Sequence, residues 1–316
     1  MRVVTAAEID AALSFPALIE ALRRAFAAKL IAPERHHHLI ERGEETATLL
    51  LMPAWTGSTG EPSYLATKLA TVFPGNAARG RPSVYATTIL LDGGTGEPLA
   101  AMDGTRLTLW RTAATSALAA SYLARKDASR LTMVGAGALA PFLIRAHCAV
   151  RPIREVTIWN HNGARAREVV ERMTAEPGFV PQIKVAESLE TACREADIVS
   201  CATLTRSPLV RGDWLAAGAH LDLVGAYNLE MREADDTALR RARIFIDTQA
   251  ALKEGGDVAV ALRDGAIAAA QVRGDLAGLV GGGTEGRSGP SDITLFKSIG
   301  AAIEDLAAAV AVWEAV

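Results

Sequence analysis

Lys68, Arg111 and Arg35 are cations set among apolar or small residues. Lys68 lies in SYLATKLATVF, Arg111 in TLWRTAATSALAA, and Arg35 follows Pro33 ahead of the run His36-His37-His38. A charge buried in such surroundings must be paired or must meet a ligand. Each of the three alone reads as a structural ion pair. Taken together, and beside a nucleotide-binding segment, they suggest a site for a small carboxylate, and the planar guanidinium of Arg111 suits bidentate recognition of carboxylate or phosphate. A second chemical feature is HLDLVGAYNLEMREADD, residues 220–236. Its apolar run Leu221, Leu223, Val224 breaks at Gly225, and Tyr227 and Asn228 stand just past the end. Ligands of parallel α/β sheets sit at such carboxyl ends. The nearest acid beyond this point is Glu230, which reaches in only if the loop folds back.

The third feature is RLTMVGAGALAPFLIRA, an apolar run, then Gly135-Ala136-Gly137-Ala138-Leu139-Ala140, then a helical pattern. This is the G-x-G-x-x-A form of the dinucleotide fingerprint. Gly135 permits the tight turn. Gly137 lets a pyrophosphate approach the backbone at a helix N-terminus, where free N–H groups and the dipole favour anions. Ala140 permits close packing of helix on strand. The motif is weak by itself; its context, after a strand and opening a βαβ series, makes nucleotide binding the reading and a merely tight turn the alternative. The next strand pattern, EVTIW, ends at Asn160, about where an acid would bind the ribose of NAD. Asn160 is neutral, and His161, Arg165 and Arg167 follow. That set tolerates the extra phosphate of NADP, while an asparagine can still bond a ribose, so NAD and NADP both stay open. A solvated helix face is an equal reading of the arginines.

Consecutive histidines on a strand alternate faces, so His36-His37-His38 do not converge on a metal, and no Cys or acidic cluster has ligand spacing. No metal site is expected. There is no G-x-S-x-G motif. Cys148, Cys193 and Cys201 all fall in apolar helix or strand patterns, as small core residues.

Positioning these groups needs two kinds of scaffold. The 316 residues suggest two domains. From residue 130 onward RLTMV, EVTIW, QIKV, DIVSCA, HLDLV and RIFID alternate with helical stretches such as 138–150 and 164–174. That is the pattern of a Rossmann-type doubly wound parallel sheet in an α/β protein. The earlier part is α+β in texture. Residues 8–30 have helical apolar spacing with Pro16 near a helix start. The strand-like runs TATLLLMPAW, SYLATKLATVF and SVYATTILLD follow, and DGGTGEP makes 83–102 a hairpin. Residues 108–125 form a small-residue helix. Glycines 281–283 lie in a loop, and DITLFKSIGAAIEDLAAAVAVWEA reads as one closing helix that packs back on the first domain. The expected division is a substrate-binding and dimerisation domain, 1–121 with 296–316, and an NAD(P)-binding domain, 122–295.

Composition narrows the function classes. The formal net charge of −3 gives no basic surplus for nucleic acid or an anionic membrane. No apolar run approaches the ~20 residues of a transmembrane helix. The acidic residues in MRVVTAAEIDAALSF do not fit a signal peptide. An odd cysteine count without pairing spacing points to a reducing cytoplasm.

The stretch ILLDGGTGEPLAAMDGTRLTLWRTAATSALAASYLAR, followed by LTMVGAGALA, closely resembles the ornithine cyclodeaminase/mu-crystallin family, and DITLFKSIGAAIEDLAAA resembles its C-terminal signature. The resemblance covers nearly the whole chain. It implies a homodimer built through the non-nucleotide domain, with NAD(P)H as cofactor and a small amino or imino acid as substrate. By position Lys68 resembles the family's substrate lysine, Arg111 the arginine that meets substrate and cofactor, and Arg35 the first substrate arginine. Ser83, Thr112, Ala138, Leu139, Asn160, Thr203, Val224, Gly225, Ala226 and Ser298 fall where family members line the NAD(P) site.

Two positions depart from the cyclodeaminases. Tyr227 stands where they carry the aspartate that handles the amine during ring closure, and Leu50, in LLLMP, stands for a second family acid. A phenol with a pKa near 10 is a poor base at neutral pH. Tyr227 instead suits covering a flat ring, donating a proton, or packing over the sheet edge. The leading expectation is an NAD(P)H-dependent reductase of a cyclic ketimine such as Δ1-pyrroline-2-carboxylate, or of a related 2-imino or 2-oxo acid, with Lys68, Arg111 and Tyr227 as its catalytic candidates. The alternatives are an ornithine cyclodeaminase with bound NAD, and a non-catalytic protein that holds NADPH and a ligand.

Overall fold

The computed structural model describes residues 1–28, 30–43, 45–57 and 63–316. Two compact units result, residues 1–112 with 300–316, and residues 113–299. The breaks therefore fall after Thr112 and after Ile299, not at 121/122 and 295/296.

The first unit begins β1 (Arg2–Val4), α1 (Ala6–Ala12), α2 (Phe15–Ala27), β2 (His36–Arg42), β3 (Glu45–Trp55), β4 (Tyr64–Val72), β5 (Val84–Asp92), β6 (Pro98–Asp103) and the start of α3 (Gly104–Leu123). The helical stretch expected over 8–30 is thus two helices. They part at Leu13 and Ser14, and Pro16 occupies the first turn of α2, where its missing N–H costs nothing. Lys29 lies outside the described residues. The strands form one sheet in the order β1-β6-β5-β4-β3-β2, with β1 parallel to β6 and the other neighbours antiparallel. The β5–β6 pair is the hairpin that DGGTGEP predicts, and Gly96 supplies a left-handed φ of 76° in its turn.

The second unit takes the rest of α3, then β7 (Arg130–Val134), α4 (Ala140–Val150), β8 (Glu155–Trp159), α5 (Gly163–Thr174), β9 (Gln182–Val185), α6 (Leu189–Glu195), β10 (Ile198–Cys201), β11 (His220–Leu223), α7 (Asp236–Arg241), β12 (Arg243–Ile246), α8 (Ala251–Glu254), α9 (Gly256–Arg263), β13 (Val272–Asp275), α10 (Leu276–Val280) and β14 (Thr294–Lys297). Its eight strands are all parallel, in the order β13-β12-β14-β11-β10-β7-β8-β9. Strand order reverses direction at β7, with β8 on one side and β10 on the other. A crevice outside the carboxyl ends of the strands is expected at that point. The central strands β10, β11 and β14 are buried along their whole length, as a doubly covered parallel sheet requires.

Residues 292–315 are not the single helix expected of them. Thr294–Lys297 form β14, inserted between β11 and β12, and only α11 (Ala302–Ala315) is helical. The run TLFK is too short to carry a period, and Gly300, at φ 79°, stops the chain from continuing as helix. In the first unit α11 packs on α2 and across β3, β4 and β5. Among the described residues no helix is long and apolar enough to cross a membrane.

Candidate active site

In β4 alternate residues face opposite sides, so Ala66, Lys68 and Ala70 point into the first unit while Leu69 points out. The small alanines leave room for the lysine side chain, which is only 3% exposed. Two acids at the start of α11 meet it. Asp305 places Oδ1 3.0 Å and Oδ2 2.8 Å from Lys68 Nζ. Asp305 Oδ1 also lies 3.0 Å from Arg111 Nε, and Arg111 Nη1 donates to Glu304 Oε2 at 2.6 Å. Two cations and two carboxylates thus form one buried, balanced cluster. Removing a single member would leave an uncompensated charge, which is far costlier than the pair is favourable. Burial, with help from the Arg111 charge and against the pull of Asp305, brings the Lys68 ammonium down to about 8.

Arg35 joins the same place through the backbone. Its Nη2 donates to the Gly300 carbonyl at 2.8 Å. A Cβ at Gly300 would collide with the Arg111 guanidinium, so the glycine is required both by its φ of 79° and by the close approach of that side chain. Arg35, Lys68 and Arg111 are therefore brought together at the turn that opens α11. Thr112, buried, follows Arg111 in α3. Ser83 is elsewhere: it precedes β5, five residues along from Thr88, the register partner of Lys68, and its carbonyl accepts from the Phe73 amide at 2.7 Å.

In the second unit Gly135 has φ 111°, and a Cβ there would meet the Ala202 carbonyl oxygen at 2.5 Å. The turn after β7 is thus held against the chain leaving β10. Gly137 differs. A Cβ added to it meets no protein atom within 4 Å, and Gly137 and Ala138 are exposed. The fold itself does not demand glycine at 137; the open space over that backbone is what a pyrophosphate needs. Leu139 caps α4, whose first turn contains Pro141. These residues fit a dinucleotide.

At the end of β8 the Asn160 amide donates to the Asn162 carbonyl at 3.0 Å, and Asn162 caps α5 through the Ala164 amide. His161 and Arg165 are exposed. After β11, Val224 donates to the Cys201 carbonyl at 2.9 Å, and Ser298, which follows β14, donates its amide to the Leu223 carbonyl at 3.0 Å. The Ser298 hydroxyl donates to Asp247 at 3.1 Å. Thr203, Gly225, Ala226 and Ser298 therefore line the carboxyl ends of the adjacent strands β10, β11 and β14.

Tyr227 is half-buried just past this edge, and burial pushes its phenol above the ordinary value, so it stays neutral. Glu230 does not fold back. It is 71% exposed beside Arg206, at 3.1 Å. The acid that does fold back is Glu233, which is 1% exposed and accepts from the Thr203 amide at 2.7 Å, the Thr203 hydroxyl at 2.8 Å and the Gly225 amide at 2.7 Å. Its carboxylate is committed to these donors. Asp222, inside β11, is likewise taken, by Ser116 at 2.9 Å and Ser200 at 2.7 Å.

The histidine run lies in β2 with all three residues exposed, and no group of three metal-ligating side chains occurs among the described residues. Burial pushes the Cys148 and Cys193 thiols up to about 12, which leaves them poor nucleophiles. Sequence reasoning missed Glu304, Asp305 and Glu233. The first two had a signal: they are the only charges in the otherwise apolar first half of α11. Glu233, in a run of charged residues, had none.

An all-parallel doubly wound sheet with an open glycine turn at its switch point defines a dinucleotide-binding α/β protein. The chain belongs to the ornithine cyclodeaminase/mu-crystallin family, which it matches over residues 1–316. It is 34% identical over 319 residues to a Δ1-pyrroline-2-carboxylate reductase of Colwellia psychrerythraea, covering 99% of each chain. A solved Δ1-pyrroline-2-carboxylate reductase of Thermococcus litoralis, in complex with NADH and L-proline, is similar with a TM-score of 0.92 and 34% identity, over 99% of this chain and 97% of that one. An archaeal alanine dehydrogenase dimer with bound NAD is similar with a TM-score of 0.89 and 31% identity, over 99% and 95% of the two chains.

Proposed function

We propose that the protein is an NAD(P)H-dependent reductase that converts a cyclic ketimine, such as Δ1-pyrroline-2-carboxylate, to the corresponding cyclic amino acid. The observation that carries this reading is the convergence of Lys68, Arg111 and Arg35, in a unit whose acids Glu304 and Asp305 are already engaged with the cations. The three cations are the carboxylate-binding set. Bound NAD(P)H supplies the hydride. The imine nitrogen either arrives protonated or takes its proton from Lys68, whose ammonium burial has brought to about 8, near working pH. The Gly135-to-Leu139 turn is the pyrophosphate site, and Asn160, His161 and Arg165 are the candidates for the ribose end. Tyr227 is the candidate cover over the substrate ring.

The relatives that act on a cyclic imine support the substrate class. An ornithine cyclodeaminase must also hold and deprotonate a distal ammonium. Tyr227 stays neutral, Glu230 is out in solvent, and Glu233 is bound to backbone amides, so that reading is the weaker one. The test is a substrate panel of proline, pipecolate, alanine and ornithine with both cofactors, followed for NAD(P)H change and ammonia release. Efficient ammonia release from ornithine would overturn the reductase reading; binding of NADPH without turnover of any substrate would favour a non-catalytic protein.

We also propose a homodimer through the open face of the first unit's sheet. Leu51 and Leu69 are register partners on that face, Leu69 is 38% exposed and Tyr85, paired with Thr71, is 46% exposed. Exposed apolar side chains gathered on one sheet face suit a partner, and the dimer of the archaeal relative supports a second copy. The three free cysteines support a reducing compartment, the cytoplasm.

A further inference from the structure

Glu233 lies in the loop between β11 and α7, and its carboxylate spans two chain segments. Oε1 accepts from the amide and hydroxyl of Thr203, which follows β10, at 2.7 and 2.8 Å. Oε2 accepts from the amides of Gly225 and Ala226, which follow β11, at 2.7 and 3.4 Å. The segments are pressed so closely that a Cβ on Gly225 would strike the Thr203 backbone and Glu233 Oε1. Behind the acid stands a second buried pair. The Glu233 and Ala234 amides donate to Asp257 Oδ1 at 2.7 and 3.0 Å, and Lys297 Nζ donates to Asp257 Oδ2 at 3.1 Å. Glu233, Asp257 and Lys297 are at most 1% exposed.

Such an arrangement is expensive to keep. Four donors at the carboxyl ends of two adjacent strands make a ready-made anion hole, and here the chain fills it with its own carboxylate. Filled, the hole offers nothing to a phosphate, so the cofactor's anionic part is left to the glycine turn after β7. The same carboxylate fixes the spacing between the Thr203 and Gly225–Ala226 segments.

We propose that Glu233 is a positioning residue for the nicotinamide cofactor, tying the segments after β10 and β11 into one rigid floor that the bound cofactor reads. The inference rests on the cofactor site assigned above. Glutamine at 233 would keep the shape but turn an N–H donor toward donors, so one of the two segments must let go. Aspartate would keep the charge but lose the reach to one segment.

The clamp also has a protonation signature. Burial pushes the Glu233 carboxyl up to about 7, against the pull of Lys297 and the Thr203 hydrogen bonds. The ionisable groups facing it are Lys297 from β14, Asp257 from α9 and the Cys201 thiol from β10, which burial keeps protonated. As pH falls below about 7 the acid takes a proton and ceases to accept on that oxygen, so the floor loosens.

The experiment is a fluorescence titration of the full-length protein with NADH, on wild type, Glu233→Gln and Glu233→Asp, from pH 6 to 8. At pH 8 both variants are expected to raise the NADH Kd at least tenfold, with KM for the imino acid within twofold. The wild-type Kd should weaken toward pH 6 and the Gln variant should lose that dependence. A Kd within twofold of wild type in either folded variant, or a pH profile unchanged by Glu233→Gln, would overturn the proposal. A wild-type protein that binds no NADH, or a Gly137→Val variant that binds it normally, would instead overturn the cofactor-site reading beneath it.

Discussion

Lys68 Nζ sits 3.0 Å from Oδ1 and 2.8 Å from Oδ2 of Asp305, two side chains 237 positions apart in sequence and both nearly sealed from solvent. Asp305 is shared with Arg111, so its loss strands the buried Lys68 and leaves Arg111 without one of its two carboxylates. Asp305→Ala is expected to cost about 3–5 kcal/mol of stability, read from urea unfolding. A loss below about 1 kcal/mol would mean that water or a rearranged Glu304 replaces it.

Lys68→Ala and Arg111→Ala should each lower kcat/KM for the imino acid by more than tenfold, about 1.4 kcal/mol of transition-state stabilisation. Wild-type kinetics in both variants would place the substrate elsewhere.

The same lysine predicts a pH limb. Its ammonium is held down to about 8, so the charge that meets a carboxylate is present below that value and lost as pH rises through it. The kcat/KM for imine reduction should fall above about pH 8, and Lys68→Arg, which keeps its charge, should move the limb upward. An identical limb in both proteins would assign it to another group.

Gly137→Val should abolish NADH binding and leave a folded protein, because a Cβ there meets no protein atom within 4 Å and the side chain enters the space over the turn. Circular dichroism checks the fold and a titration checks the affinity. Retained affinity would remove the pyrophosphate from this turn.

Tyr227→Asp should gain ornithine turnover, measured as ammonia release, if position 227 separates imine reduction from cyclodeamination. The wild type should release little, since burying an unpaired distal ammonium is costly. An unchanged substrate profile would reduce Tyr227 to a packing residue.

A double variant, Leu69→Asp with Tyr85→Asp, should be monomeric by sedimentation, whereas the wild type is expected to be a dimer. Dimer formation unaffected by two charges on the open sheet face would move the interface to another surface.

Much of this is legible in the sequence. The parallel sheet announces itself through short apolar strands alternating with helical stretches, and the glycine turn through its place between them. Lys68 stands out because it shares its strand face with alanines. The acids were hidden for different reasons. Glu304 and Asp305 stand alone in an apolar stretch, but they open a helix, where carboxylates are ordinary complements of the dipole, and that reading masks their burial. Glu233 bonds to backbone amides of distant residues, and no side-chain pattern encodes that. Strand β14 escaped because four residues, of which only Leu295 and Phe296 are apolar, fit a helix as readily as a strand, and only its neighbours β11 and β12 decide between them.

The position of β14 has a consequence for biosynthesis. Parallel neighbours β11 and β12 are both made long before the strand that lies between them. A nascent chain that has emerged only through β13 holds two half-sheets with facing, unpaired edges, and such edges invite pairing with other chains. The gap closes only when residues 294–297 leave the ribosome. Lys297 arrives with that strand and engages Asp257 Oδ2, the other oxygen already accepting from the Glu233 and Ala234 amides. The second unit's sheet therefore closes only after all its other strands have been made, and the interval before β14 appears is when a holding chaperone would matter most.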